Sequence, residues 1–256
     1  MQWIDTHAHL YGKEFAQDRR DMIARAVQAG VDKLLLPNID ETSIEGMLDL
    51  EVQYPGQCYA MMGLHPCYVK ADITAEMTWV REWLAKRPFI AVGEIGLDFY
   101  WDTTYADQQY QAFREQLQLS KEYRIPVAIH SRESTRQCID EVKALQDGHL
   151  SGVFHCFSGT LEEAREIIDL GFYLGIGGVV TFKKSGLDKI VEQIDLQHLV
   201  LETDAPYLAP VPYRGKRNES SYIPLIGQHI ADIKHLKIEE VAAVTSSNAR
   251  KLFKSI

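Results

Sequence analysis

The sequence predicts an α/β protein, a single (β/α)8 TIM-type barrel over residues 1–256, on three observations. Eight short apolar runs alternate with longer segments of helical period. They recur about every 32 residues, room for one strand, one helix and two loops, and barrels of this length close as one domain. No Pro/Ser-rich linker, low-complexity segment or charge block divides the chain. An open doubly wound sheet would use the same alternation. The first run is not followed by a GxGxxG turn, which argues against the dinucleotide-binding form of that sheet.

The predicted strands are 3–7, 33–37, 59–64, 89–95, 127–130, 152–155, 172–177 and 199–203. Strands that alternate with helices pair in parallel through right-handed crossovers. Segment 17–29 carries Met22, Ile23, Ala26 and Val27 as one apolar stripe, with Gly30 as the residue that ends the helix. In segment 106–121 the stripe is Ala106, Tyr110, Phe113 and Leu117. Thr160 and Glu163 have capping-box spacing, and Gly171 stops the helix they open.

Composition excludes several classes. With 46% hydrophobic residues the chain can bury a core, so it is not disordered. With 27 Lys+Arg against 36 Asp+Glu its formal charge is −9, unlike a protein that coats nucleic acid regardless of sequence. The longest uncharged apolar run, 172–182, falls short of the roughly 20 residues that span a bilayer, so no membrane association is expected. The first residues hold neither a basic patch nor a long apolar stretch, which predicts no signal peptide and a cytoplasmic location. Cys58, Cys67, Cys138 and Cys156 form no CxxC pair and are read as reduced, mostly buried thiols.

The chemistry is carried by the strand ends. His7, His9, His65, His130 and His155, five of the nine histidines, fall at or just past the carboxyl end of a predicted strand. Glu94 and Asp204 occupy two further ends, and the carboxyl face is where barrels build active sites. In an extended chain His7 and His9 project to one side, so both imidazoles reach a common cation. Taken with His130, His155, Glu94 and Asp204 they form the ligand set that Zn²⁺, Mn²⁺ or a similar divalent ion prefers. Six ligands suit two ions sharing a carboxylate better than one ion. His149, His198, His229 and His235 fall on helices or lower loops and are given no function.

Six ordered motifs span nearly the whole chain: Ile4-Asp5-Thr6-His7-Ala8-His9-Leu10, Gly63-Leu64-His65-Pro66, Val92-Gly93-Glu94-Ile95-Gly96-Leu97-Asp98, Ile129-His130-Ser131-Arg132, His155-Cys156-Phe157-Ser158-Gly159 and Leu201-Glu202-Thr203-Asp204-Ala205-Pro206-Tyr207-Leu208. Together they resemble the TatD family of metal-dependent deoxyribonucleases, within the amidohydrolase superfamily of barrels. The resemblance implies a first metal site at His7, His9 and Asp204 and a second at His130 and His155. Glu94 would be the bridging ligand, and the metals would be two divalent ions (Mg²⁺, Mn²⁺ or Zn²⁺). It also implies hydrolysis of DNA phosphodiesters, with single strands or 3′ ends as the substrate and 3′–5′ exonuclease-like action. Asp204 is the expected general base and Glu202 the residue that orients a ligand. His65 is expected to contact phosphate or donate a proton, and Arg132 to reach a substrate phosphate. Gly96 and Asp98 are expected only to shape the turn after Glu94.

The stretch 212–219 holds Arg214, Lys216 and Arg217 and resembles the family's Arg-Gly-Lys-Arg-Asn-Glu-Pro motif, with Ser220 where proline is usual. It is expected to be a phosphate-binding loop. Gly177 and Gly178, after strand seven, are expected to let backbone approach the substrate. Two other functions remain compatible with the ligand set. One is an amidohydrolase acting on a small amide, ester or lactone, and the other a non-catalytic binding protein that keeps the metals for structure.

Overall fold

A computed structural model describes residues 1–256. Eight parallel strands follow one another in chain order: β1 (Trp3–Asp5), β2 (Val31–Leu36), β3 (Cys58–Ala60), β4 (Val92–Asp98), β5 (Val127–Arg132), β6 (Gly152–Phe154), β7 (Tyr173–Ile176) and β8 (Leu199–Leu201). The helices are α1 (Arg19–Gln28), α2 (Ile44–Gln53), α3 (Thr74–Lys86), α4 (Ala106–Tyr123), α5 (Thr135–Leu145), α6 (Leu161–Asp169), α7 (Leu187–Gln193), α8 (Ile223–Lys234) and α9 (Ile238–Leu252). Continuous ladders run from β1 to β3 and from β4 to β8. Parallel bridges at Met62 with Val92 and at Ala8 with Ala205 join the two seams and close the barrel. The backbone N–H of Gly93 donates to Met62 O at 3.0 Å and that of Asp204 to His7 O at 2.9 Å across them.

Strand alternation sorts the core into two layers. Leu34 and Leu36 of β2 join the large cluster beneath the helices, whereas Leu35 joins Ile4, Met61, Ala128, Val153 and Val200 inside the barrel. The same inner cluster includes Ala249, Leu252 and Phe253 at the end of α9. Asn248 Nδ2 donates to Leu196 O and Leu199 O, and Ser246 Oγ donates to Gln2 O. These bonds lay α9 across the amino ends of β1 and β8, so Phe253 seals the barrel from below.

The expected stop signals operate. Gly30 follows α1 at φ +86°, and Thr160 and Glu163 exchange both bonds of a capping box at the start of α6. The stripe on α1 is narrower than expected: Met22, Ile23 and Ala26 are buried, but Val27 is 52% exposed, since one further residue rotates it off the core face. The strand predicted at 89–95 begins later, at Val92, and runs on to Asp98, which puts Glu94 within β4 instead of at its end. The four cysteines are free, with Cys58 and Cys138 buried and Cys67 exposed. No helix is long and apolar enough to cross a membrane.

Candidate metal centre

The centre is built around a bulge. Val92 pairs with Val127 and Ile95 with Ile129, so β4 carries one residue more than β5 at Glu94. Such a bulge bends the strand and re-aims a side chain. Here it puts the Glu94 carboxylate on the floor of the barrel mouth, 2% exposed, among five imidazoles. His155 Nε2 lies 2.9 Å, His130 Nδ1 3.0 Å and His65 Nε2 3.4 Å from Oε1, while His7 Nε2 lies 3.2 Å and His9 Nε2 3.4 Å from Oε2. Asp204 Oδ1 closes the cluster at 3.5 Å from His9 Nε2 and 3.9 Å from His7 Nε2. The six expected ligands therefore converge, together with His65.

Hydrogen bonds around the cluster decide which nitrogens are free to ligate. Tyr11 donates its hydroxyl to Pro37 O at 2.6 Å, so at 3.0 Å it accepts the proton of His9 Nδ1. His9 then turns the lone pair of Nε2 toward Glu94 and Asp204. His130 gives its Nε2 proton to Asp98 Oδ2 at 2.8 Å and turns the lone pair of Nδ1 inward. His155 Nδ1 faces Glu202 Oε1 at 3.5 Å, and the same oxygen accepts the backbone N–H of Cys156. Lone pairs aimed at carboxylate lone pairs are the arrangement a cation stabilises, and oriented imidazoles with shared carboxylates are the donor set of divalent sites. The residues present fit such ions.

His65 is set differently. Its Nδ1 accepts the backbone N–H of Cys67 at 3.1 Å, which leaves the proton on Nε2, pointing into the centre. Burial holds this imidazole below its usual pKa. A neutral ring protonated at Nε2 is a hydrogen-bond donor there and not a metal ligand.

The strand ends are pinned by Asp5, fully buried, which accepts from the backbone N–H groups of His7 (3.3 Å) and Thr203 (2.9 Å) and from Thr203 Oγ1 (2.6 Å). Burial pushes its carboxyl up to about 7 against these bonds. Burial would also raise Glu94, but the surrounding imidazoles overcome it and hold that carboxyl well below the ordinary range. Asp204 sits at φ +56°, a left-handed conformation that aspartate tolerates better than most residues. Gly175 on β7 leaves the space that Glu202 fills, since a Cβ there would overlap Glu202 Oε2.

Tyr11 and Asp98 are the functional partners that sequence reasoning missed. Asp98 does more than shape a turn: burial opposes its ionisation, but the bonds from His130, Trp101 and Tyr100 bring it down to about 2. Asp98→Asn would keep an acceptor for the backbone and present an N–H to His130 Nε2–H. Metal affinity should fall about 10- to 100-fold, read by competition with a chelating dye.

A cavity of about 1810 Å³ opens above the cluster, and Lys13, His65, Arg132, Arg214 and Lys216 line it. Arg217 does not. Its guanidinium turns outward to Asp18, with bonds of 2.6 and 2.7 Å, and lies over the Phe15 ring, so it anchors the loop from beneath. A carboxylate on α1's amino side holds this arginine, which the structure does not bring to the cavity with the other expected phosphate contacts. Glu14, Asp40 and Glu133 also line the cavity, so its mouth is of mixed sign. Gly178 packs too closely for any side chain: a Cβ there would overlap Leu208 O.

Comparison with known proteins agrees with this geometry. The family model described as TatD related DNase matches residues 4–254. The chain is 38% identical to "Uncharacterized metal-dependent hydrolase YabD" of Bacillus subtilis over 253 residues, 98% of each chain. It is 34% identical over 257 residues to "3'-5' ssDNA/RNA exonuclease TatD" of Erwinia tasmaniensis, covering 98% of this chain and 99% of that one. The crystal structure of the TatD homologue YjjV from Escherichia coli superposes with a TM-score of 0.93 at 30% identity, covering 99% and 98%. With both the sequence and the barrel matched from end to end, the chain belongs to the TatD-related DNase family of metal-dependent hydrolases.

Proposed function

We propose that residues 1–256 act as one cytoplasmic phosphodiesterase unit that trims single-stranded nucleic acid from its 3′ end at a two-metal centre. The observation that carries this reading is a buried carboxylate, Glu94, ringed by five imidazoles, each within 3.4 Å, at the floor of an open cavity. His7, His9 and Asp204 would hold one ion, His130 and His155 the other, with Glu94 between them. Bound divalent ions would supply Lewis acidity, neutralising charge on the phosphoryl oxygens and making water more acidic. Asp204, 14% exposed at its side chain, is the carboxylate placed to take the proton of the attacking water. His65 donates a hydrogen bond from Nε2–H to a phosphoryl or leaving oxygen, and Arg132, Arg214 and Lys216 hold the flanking phosphates. Glu202 keeps His155 oriented, and Tyr11 and Asp98 do the same for His9 and His130.

The cavity is larger than the roughly 300–1,000 Å³ of small-molecule sites, which favours a polymer end over a lactone or amide. The 3′–5′ single-strand direction draws on the Erwinia relative's name. The test is a substrate panel with Mg²⁺, Mn²⁺ or Zn²⁺, using 3′- and 5′-labelled single-stranded DNA, duplex DNA, and small esters and lactones. Shortening of the single strand from its 3′ end, stopped by a chelator and restored by metal, is the expected result. Activity confined to the esters or lactones would assign a small-molecule amidohydrolase instead. A metal-loaded protein inert toward the whole panel would assign a binding protein.

A further inference from the structure

Exposed apolar surface is unevenly placed on this molecule. Apart from Met1, Val27 and Val52, the large apolar side chains left exposed all lie on loops at the carboxyl ends of β3, β4 and β8, and Tyr68, Trp101, Tyr207 and Leu208 among them line the cavity. Trp101 is the most exposed aromatic residue, at 69%, with Tyr100 beside it at 49%. Their rings meet edge to face, with centroids 4.9 Å apart. The Arg132 guanidinium lies 4.0 Å from the Tyr100 centroid and 5.5 Å from that of Trp101. Trp101, Arg132 and His130 line the same cavity.

This aromatic pair is fastened to the metal centre. Asp98 Oδ1 accepts the backbone N–H groups of Tyr100 and Trp101, both at 3.0 Å, while its Oδ2 takes the proton of His130. Gln109 of α4 grips the Asp98 backbone from behind, accepting its N–H at 2.9 Å and donating to its carbonyl at 3.2 Å. One buried carboxylate thus fixes both a ligand imidazole and the turn that bears the indole. An indole left two-thirds in water contributes little to folding through burial. Held at a fixed offset from a phosphodiester centre and backed by a guanidinium, it presents a flat face to whatever adjoins the phosphate.

We infer that Trp101, supported by Tyr100 and Arg132, is the platform on which a nucleobase next to the scissile phosphate stacks. This makes the substrate class a single strand with unstacked bases, and it rests on the nuclease reading above. Bases within a duplex are already stacked and must be unpaired before they reach such a platform. Stacking tolerates any base, so the platform imposes strandedness without sequence preference.

The experiment compares kcat/KM for an oligodeoxynucleotide ending in adenosines with that for the same strand ending in two abasic residues. The wild-type protein should favour the base-bearing strand about tenfold or more, chiefly through KM. In Trp101→Ala that preference should collapse toward one, and Trp101→Tyr should retain most of it. Trp101→Ala with the wild-type preference, or a wild type with no preference, overturns the platform while the nuclease reading stands. A wild-type protein that cleaves neither strand yet hydrolyses a small ester overturns the nuclease reading and the platform with it.

Discussion

Asp204→Asn is expected to lower kcat by about 10²- to 10⁴-fold while leaving metal content close to that of the unmodified protein. Asparagine keeps an oxygen where Oδ1 faces His7 and His9, so the cluster retains its donor count. It also tolerates the left-handed backbone at this position, φ +56°, and keeps the N–H that donates to His7 O. What it loses is the negative charge that accepts a proton. Single-turnover cleavage of a labelled strand, with metal measured by atomic emission on the same sample, separates the two effects. A kcat that stays at the wild-type value would place the base elsewhere. A variant stripped of metal would show that Asp204 acts chiefly as a ligand.

Glu94→Gln is expected to reduce turnover on the order of a thousandfold or more, with the loss arising from metal binding. Both carboxylate oxygens face imidazoles, Oε1 toward His65, His130 and His155 and Oε2 toward His7 and His9. A carboxamide replaces one of those oxygens with an N–H2 group, which repels a cation and cannot ligate it. One substitution should therefore weaken both sites, whereas loss of His155 should weaken one. Metal titration against a chelating dye, with circular dichroism to confirm that the barrel persists, checks this. Two ions bound at wild-type affinity would remove Glu94 from the bridging place proposed for it.

Much of the barrel was legible because its signals are local. Apolar runs mark strands, glycine after α1 and the Thr160–Glu163 box mark helix ends, and histidines gathered at strand ends mark the face that works. The parts that were not legible depend on geometry that only pairing creates. Glu94 reaches the centre through one extra residue in β4, and no periodicity reveals a bulge before the register with β5 is known. Asp98 meets His130 because Gly96 pairs with His130 across those strands, 34 residues apart in sequence. Arg217 stands out in the sequence by its charge alone, and its partner Asp18 lies 199 residues away. Tyr11 is two residues from His9, but its role needed Pro37 O, supplied by the segment after β2, to direct its hydroxyl.

The way α9 seals the barrel also settles which side of the molecule can be handled. Phe253 is fully buried beneath the strands, whereas Met1, Gln2, Arg250 and Lys251 border one depression, so the first residues lie against α9 there. That depression lies at the end of the barrel opposite the cavity. A dye attached at Gln2 would stand behind the cavity and leave a long strand free to enter. A deletion that reached Phe253 would instead uncork the barrel and expose Ile4, Leu35 and Val200 to water.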